Sequence, residues 1–242
     1  MLQTRTRRRR SLRTMAIAIV CFSVLGTYSA CSSDAGPRSA GRPTVVIIGD
    51  SLSTGHGTSP FDAWPKLVEN DPGFRQFNTT IVNAARDGAG YVSVGEDGST
   101  FGSQVDEAVT DGTRLVLFFG SENDMGTSPG ETEAAAARAF ASVKSRAPQA
   151  DIVVVGPPSY TSTPEPERLD IRDQDKAAAL RAGAEFVDPI DLGWIMNDAP
   201  DLIGPDGDHP SAAGQQYLQA KMEALIGPRI QQDKPSNSPL TG

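Results

Sequence analysis

Cysteine is almost absent from this 242-residue chain: Cys21 and Cys31 are the only two, and both precede residue 43. The domain that follows has no cysteine for a disulfide or a thiolate metal site, so its core must hold it together. Basic side chains are also scarce outside one cluster. Six arginines (Arg5, Arg7, Arg8, Arg9, Arg10 and Arg13) stand among the first fourteen residues, and setting them aside takes the formal charge from −8 to −14. A domain this acidic does not hold nucleic acid by electrostatics, and no nucleic-acid partner is expected. Internal repeats are absent. So is the lysine-bearing glycine loop of a P-loop, and Gly88-Ala89-Gly90-Tyr91 lacks the third glycine of a dinucleotide fingerprint. Met15 to Ala30 is uncharged, but it is shorter than the roughly twenty apolar residues of a membrane-spanning helix and contains Ser23, Thr27, Tyr28 and Ser29.

What the N-terminus does have is a basic region, a short apolar run and small residues at Ser29 and Ala30. This pattern predicts a removable export signal over residues 1–31 and a secreted or cell-envelope protein. Cys31 directly follows the small pair, as in a bacterial lipobox, although Tyr28 stands where such boxes carry an aliphatic residue. A lipidated Cys31 would attach the chain to a membrane. Arg9 and Arg10 also resemble a twin-arginine signal, so the export route stays open between the two. Residues 32–42, rich in Ser, Gly, Pro and Ala, read as a flexible tether. One domain is expected over 43–228, followed by a disordered tail over 229–242.

Within that domain short β-branched runs recur at Thr44–Ile48, Thr80–Val82, Leu115–Phe119, Ile152–Val155 and Glu185–Val187. Their length and composition predict buried parallel strands. Helices are predicted over Ala134–Arg146, behind Glu131 and Glu133, over Glu165–Arg181, and from a Ser211 cap to Leu225. Strand and helix alternate, which predicts a doubly wound α/β sheet with helices on both faces.

Four blocks then carry candidate chemistry. The first strand runs into Gly49-Asp50-Ser51, where a strand-to-helix turn would expose a serine at the carboxyl end of the sheet. A serine hydroxyl needs a base to take its proton, and the chain offers only His56 and His209. His56 lies five residues beyond Ser51 and reads as a solvated or substrate-rim side chain. His209 comes from the far end of the chain in Asp206-Gly207-Asp208-His209, where Asp206 can hold the imidazole tautomer. Asn123, after the third strand, and Gly88 or Gly90, after the second, are candidate donors to an oxyanion, together with the Ser51 N–H. Trp64, Tyr91, Met125 and Trp194 are candidates either for lining a substrate pocket or for ordinary packing.

Ser51, Gly88, Asn123 and His209, in that order, resemble the four blocks of the SGNH, or GDSL, hydrolase family. The resemblance spans Pro43 to Ile226. It implies a three-layer α/β/α sandwich around a parallel, flavodoxin-like five-stranded sheet. It further implies a carboxylic ester hydrolase of esterase or lipase type, with Ser51, Asp206 and His209 catalytic, an oxyanion hole of Ser51, Gly88 and Asn123, an acyl-enzyme, and no metal or organic cofactor. In one place the chain departs from the pattern: Ser121 occupies the position of the third block's usual glycine, and Gly120 falls one residue early. Lipases, lysophospholipases, thioesterases and carbohydrate O-acetylesterases all belong to such a family, so the partner is a small-molecule, glycan or lipid ester. An exported location and few aromatics (6% of residues) favour short to medium acyl chains. A non-catalytic cell-envelope glycan-binding domain on the same fold is the competing reading, and it would have no need of Asp206 and His209.

Overall fold

The computed structural model describes residues 42–120, 122–196 and 198–231. The predicted export segment, Cys31, nearly all of the tether and residues 232–242 lie outside the described residues. Five strands form one all-parallel sheet: β1 (Thr44–Gly49), β2 (Thr80–Asn83), β3 (Thr113–Phe119), β4 (Asp151–Val155) and β5 (Glu185–Val187). Their spatial order is β2-β1-β3-β4-β5, with registers such as Val46 beside Val82 and Val116. The order reverses between β1 and β3, and in open α/β sheets a ligand crevice lies beyond the carboxyl ends at such a point.

Alternation along each strand divides the core in two. Val46, Ile48, Val116, Phe118, Ile152 and Val154 face one side, under α4 (Phe101–Ala108), α5 (Glu131–Arg146) and α6 (Pro166–Arg181), which contribute Phe101, Phe140 and Ala178. Val45, Ile47, Leu115, Leu117, Val153 and Val155 face the other, under α2 (Trp64–Asn70) and α8 (Ala212–Gln231). Leu218, Met222, Ile226 and Ile230 form the buried stripe of α8. Helices on both faces explain why the strands are apolar throughout rather than alternating with polar residues.

The short helices α1 (Ser51–Thr54), α3 (Pro72–Arg75) and α7 (Ala199–Leu202) complete the set. The expected domain end at residue 228 needs correction. Helix α8 continues through Pro228 to Gln231, with Ile230 in the core and Arg229 paired with Glu185 of β5. Proline weakens a helix by removing one donor, but the packing of Ile230 outweighs that local signal.

At its carboxyl end β1 outruns β2, whose last partner is Asn83 opposite Ile47. Beyond that point the side chain of Gln104, on α4, completes the ladder. Its Oε1 accepts from the Gly49 N–H and its Nε2 donates to the Gly49 carbonyl, both at 2.9 Å and both buried. Replacing Gln104 with Leu leaves the buried Gly49 N–H without this acceptor. The expected loss is about 1–3 kcal/mol of stability, read as a lowered urea midpoint at unchanged slope.

Candidate active site

Ser51 opens α1 directly after β1 and is almost fully buried. Asp50 caps that helix, its Oδ1 accepting from the Leu52 N–H at 3.0 Å. Across the switch point Gly120 follows β3 with φ +120°, and a Cβ there would lie 2.1 Å from Asp50 Oδ2. Only glycine lets the two loops close on each other this tightly. Ser53, also buried, accepts from Trp64 Nε1 at 3.1 Å, and Asn83 Nδ2 donates to the Ser53 carbonyl at 2.8 Å. The turn is therefore held on two sides.

His209 and Asp206 come from the loop between α7 and α8. Asp206 Oδ1 accepts from the N–H groups of Asp208 and His209, each at 3.1 Å, and Oδ2 lies 2.9 Å from His209 Nδ1. Those two amides, then the imidazole, hold the Asp206 carboxyl far below the usual carboxylate range. A carboxylate only accepts, so in the neutral ring Nδ1 carries the proton and Nε2 the lone pair. Asp206, not its exposed neighbour Asp208, orients the ring.

That ring also reaches the α1 turn. Its centroid lies 4.2 Å from that of His56, and a Cβ added at Gly57 would lie 3.2 Å from His209 Cβ. The loop before α8 thus meets the loop after α1, one turn past Ser51. His56 in turn bonds through Nδ1 to Asp87, which also accepts from Thr54 Oγ1. The sequence pattern showed no reason to pair His56 with Asp87, because the contact joins the loops after β1 and β2.

The donor candidates fall on the adjacent loops. Asn123 is exposed, and its Nδ2 donates to the Ala89 carbonyl at 2.9 Å with Asp50 Oδ2 at 3.5 Å. Asp124 is fully buried and accepts from three successive amides, those of Tyr91 (2.7 Å), Val92 (3.1 Å) and Ser93 (2.7 Å). Gly90 is pressed against that carboxylate: a Cβ would lie 2.4 Å from Asp124 Oδ1, and the Gly90 N–H already donates to the Ser93 carbonyl at 3.0 Å. Gly88 is exposed, with φ +73°. Of the aromatic candidates, Trp64, Tyr91 and Trp194 are buried in the cores, whereas Met125 is exposed.

Glu122, next to Asn123, is nearly buried and pairs with the buried Arg168 of α6, while Tyr160 Oη donates to it at 3.2 Å. Arg168 also donates to the Pro158 carbonyl at 2.8 Å, joining the loops after β3 and β4. Burial pushes the Glu122 carboxyl up despite Arg168. Removing the partner exposes the full cost of that burial, so Arg168→Met is expected to destabilise the fold by about 3–5 kcal/mol. A carboxyl raised on folding loses stability as pH rises past its unfolded value. Denaturant midpoints of this variant should accordingly recover on acidification.

Comparison with known proteins bears on the family and the fold. The profile of the GDSL-like Lipase/Acylhydrolase family matches residues 47–217. GDSL lipase Rv0518 of Mycobacterium tuberculosis is 38% identical over 187 residues, covering 75% of this chain and 80% of that protein. Among solved structures, the psychrotrophic esterase EstA from Pseudoalteromonas superposes with a TM-score of 0.59 at 17% identity, covering 78% of this chain and 98% of its own. Est24, a carbohydrate acetylesterase from Sinorhizobium meliloti, gives 0.56 at 18%, covering 77% and 99%. These two likenesses bear on the fold, and the profile and the 38% relative bear on descent. The chain belongs to the GDSL-like lipase/acylhydrolase family.

Proposed function

We propose that this protein is an exported serine esterase that cleaves carboxylic esters through Ser51, His209 and Asp206. The observation that carries the reading is the Asp206–His209 pair, with Nε2 left free as a base and the ring lodged against the turn that follows Ser51. His209 takes the Ser51 proton as Oγ attacks the ester carbonyl. The tetrahedral oxyanion is met by the N–H groups of Ser51 and Gly88 and by the Asn123 amide, which turns from the Ala89 carbonyl to reach it. Collapse breaks the C–O bond to the alcohol, which leaves with the proton from His209, and an acyl-Ser51 remains. Water, deprotonated by the same imidazole, then releases the acid and restores the serine. Gly88 is preferred to Gly90 as donor because the Gly90 amide is already engaged with Ser93.

Short to medium acyl chains suit a chain with few aromatics, and a nitrophenyl ester series from acetyl to palmitoyl should show turnover falling towards the long end. Lipid attachment at Cys31, after export, would keep the enzyme at the cell envelope. Detergent-phase partitioning of the native protein, lost in Cys31→Ala, checks the anchor.

A fluorophosphonate should label Ser51 at neutral pH, and Ser51→Ala should abolish both labelling and ester hydrolysis. Asp206→Asn is expected to lower kcat by on the order of 100-fold or more, since the imidazole loses the acceptor that fixes its tautomer. Asp206 stays ionised down to strongly acidic pH. The acid limb of a kcat/KM profile should therefore show no step from Asp206 at mildly acidic pH. A glycan-binding domain without catalysis would keep its function in Ser51→Ala and leave every ester intact.

A further inference from the structure

Beside the Ser51 turn lies a cleft of about 270 Å³ that the esterase chemistry above does not use, with Thr54, His56, Arg86, Asp87 and Glu96 in its wall and Gly55, Pro60 and Ala85 as its apolar part. Its position is fixed by the site itself. Thr54 Oγ1 lies 3.3 Å from the Ser51 carbonyl, the Arg86 N–H donates to the Gly49 carbonyl at 3.2 Å, and His56 packs on the ring of His209. Asp87 ties this wall together by accepting from both Thr54 Oγ1 and His56 Nδ1. A second imidazole–carboxylate pair thus stands side by side with the pair from Asp206 and His209.

We propose that this cleft is the subsite for the alcohol portion of the ester, and that it selects a neutral, hydroxyl-rich alcohol through His56, Asp87, Arg86 and Glu96. The proposal rests on the esterase reading and adds a substrate class to it. With Nδ1 donating to Asp87, His56 Nε2 is an acceptor, as are the carboxylates of Asp87 and Glu96. Arg86 adds donors, its Nε and Nη2 lying 3.8 and 3.7 Å from Asp97 and Glu107. Hydroxyl groups both donate and accept, so a polyol can replace the water on every one of these atoms. An acyl chain would strip that water from the charged groups and gain only contact with Pro60 and Ala85 in return, which is costly. An anionic headgroup would meet the carboxylates of Asp87 and Glu96 in the wall, with the one guanidinium already facing Asp97 and Glu107. The acyl chain is accordingly placed away from this wall.

The test compares esters that share an acyl group but differ in the alcohol, each enzymatic rate divided by the rate of the same ester's alkaline hydrolysis: ethyl acetate, glycerol monoacetate and a methyl xyloside monoacetate. The native enzyme should favour the hydroxylated esters over ethyl acetate about tenfold or more in kcat/KM. His56→Gln and Asp87→Ala should each bring that ratio towards one, mainly by raising KM for the hydroxylated esters. Because it is a ratio, the readout does not depend on the fraction of active protein. Preference for the glycerol ester would point to an acylglycerol and preference for the xyloside to a glycan, and either supports the subsite. Equal native rates on all three esters, or variants that lose all three in parallel, would overturn it. If Ser51 is labelled and ethyl acetate is cleaved without preference, this inference fails and the esterase reading stands. If Ser51 is unlabelled and no ester is cleaved, the esterase reading falls and the subsite with it.

Discussion

The arrangement depends on how β1 ends. A buried parallel strand that turns abruptly into a helix leaves backbone groups beyond its neighbour, and each must find a partner away from water. Here the Gln104 amide bonds both polar groups of Gly49, and Asp50 takes the first free amide of α1. With those bonds in place Ser51 is presented at the switch point between β1 and β3. Without them the turn would relax towards solvent and the serine would lose its fixed position relative to the β3 loop.

Carboxylates do most of the loop building around that turn. Asp50, Asp124 and Asp206 accept from one, three and two backbone amides respectively, and Asp188, beyond β5, accepts from Ile190 and Asp191. Charge-assisted bonds to N–H groups stabilise a carboxylate without requiring a cation for each. This is how a domain with a formal charge of −14 beyond its leader can gather acids at one edge of its sheet. Where an acid is both buried and distant from free amides, as at Glu122, the fold supplies Arg168 instead.

The strand pattern was readable because a sheet covered on both faces demands apolar β-branched residues at every position, and the five predicted runs lie within the five observed strands. Helices α5, α6 and α8 were readable from composition and caps. Short helices such as α1 and α7 were not, since four residues carry no periodicity. The expected end of α8 at Leu225, and of the domain at residue 228, fell short of Gln231 because contacts of Arg229 and Ile230 with distant residues carry the helix on. At the site, Ser51, Asn123, Asp206 and His209 stood out by their blocks. His56 with Asp87, and Glu122 with Arg168, did not, because each pair joins separate loops and leaves no spacing in the chain.

By itself the sequence determined the α/β class, the strand positions and the Asp206–His209 turn, all of which rest on residues within a few positions of one another. Which histidine shares a turn with which carboxylate across the sheet edge was decided only by tertiary structure. The packing of His56 on His209, the clasp of Gln104 on Gly49 and the cleft at Asp87 arise where strand order brings remote loops together. Local propensity carries no record of that distance, since the folding of the whole sheet sets it.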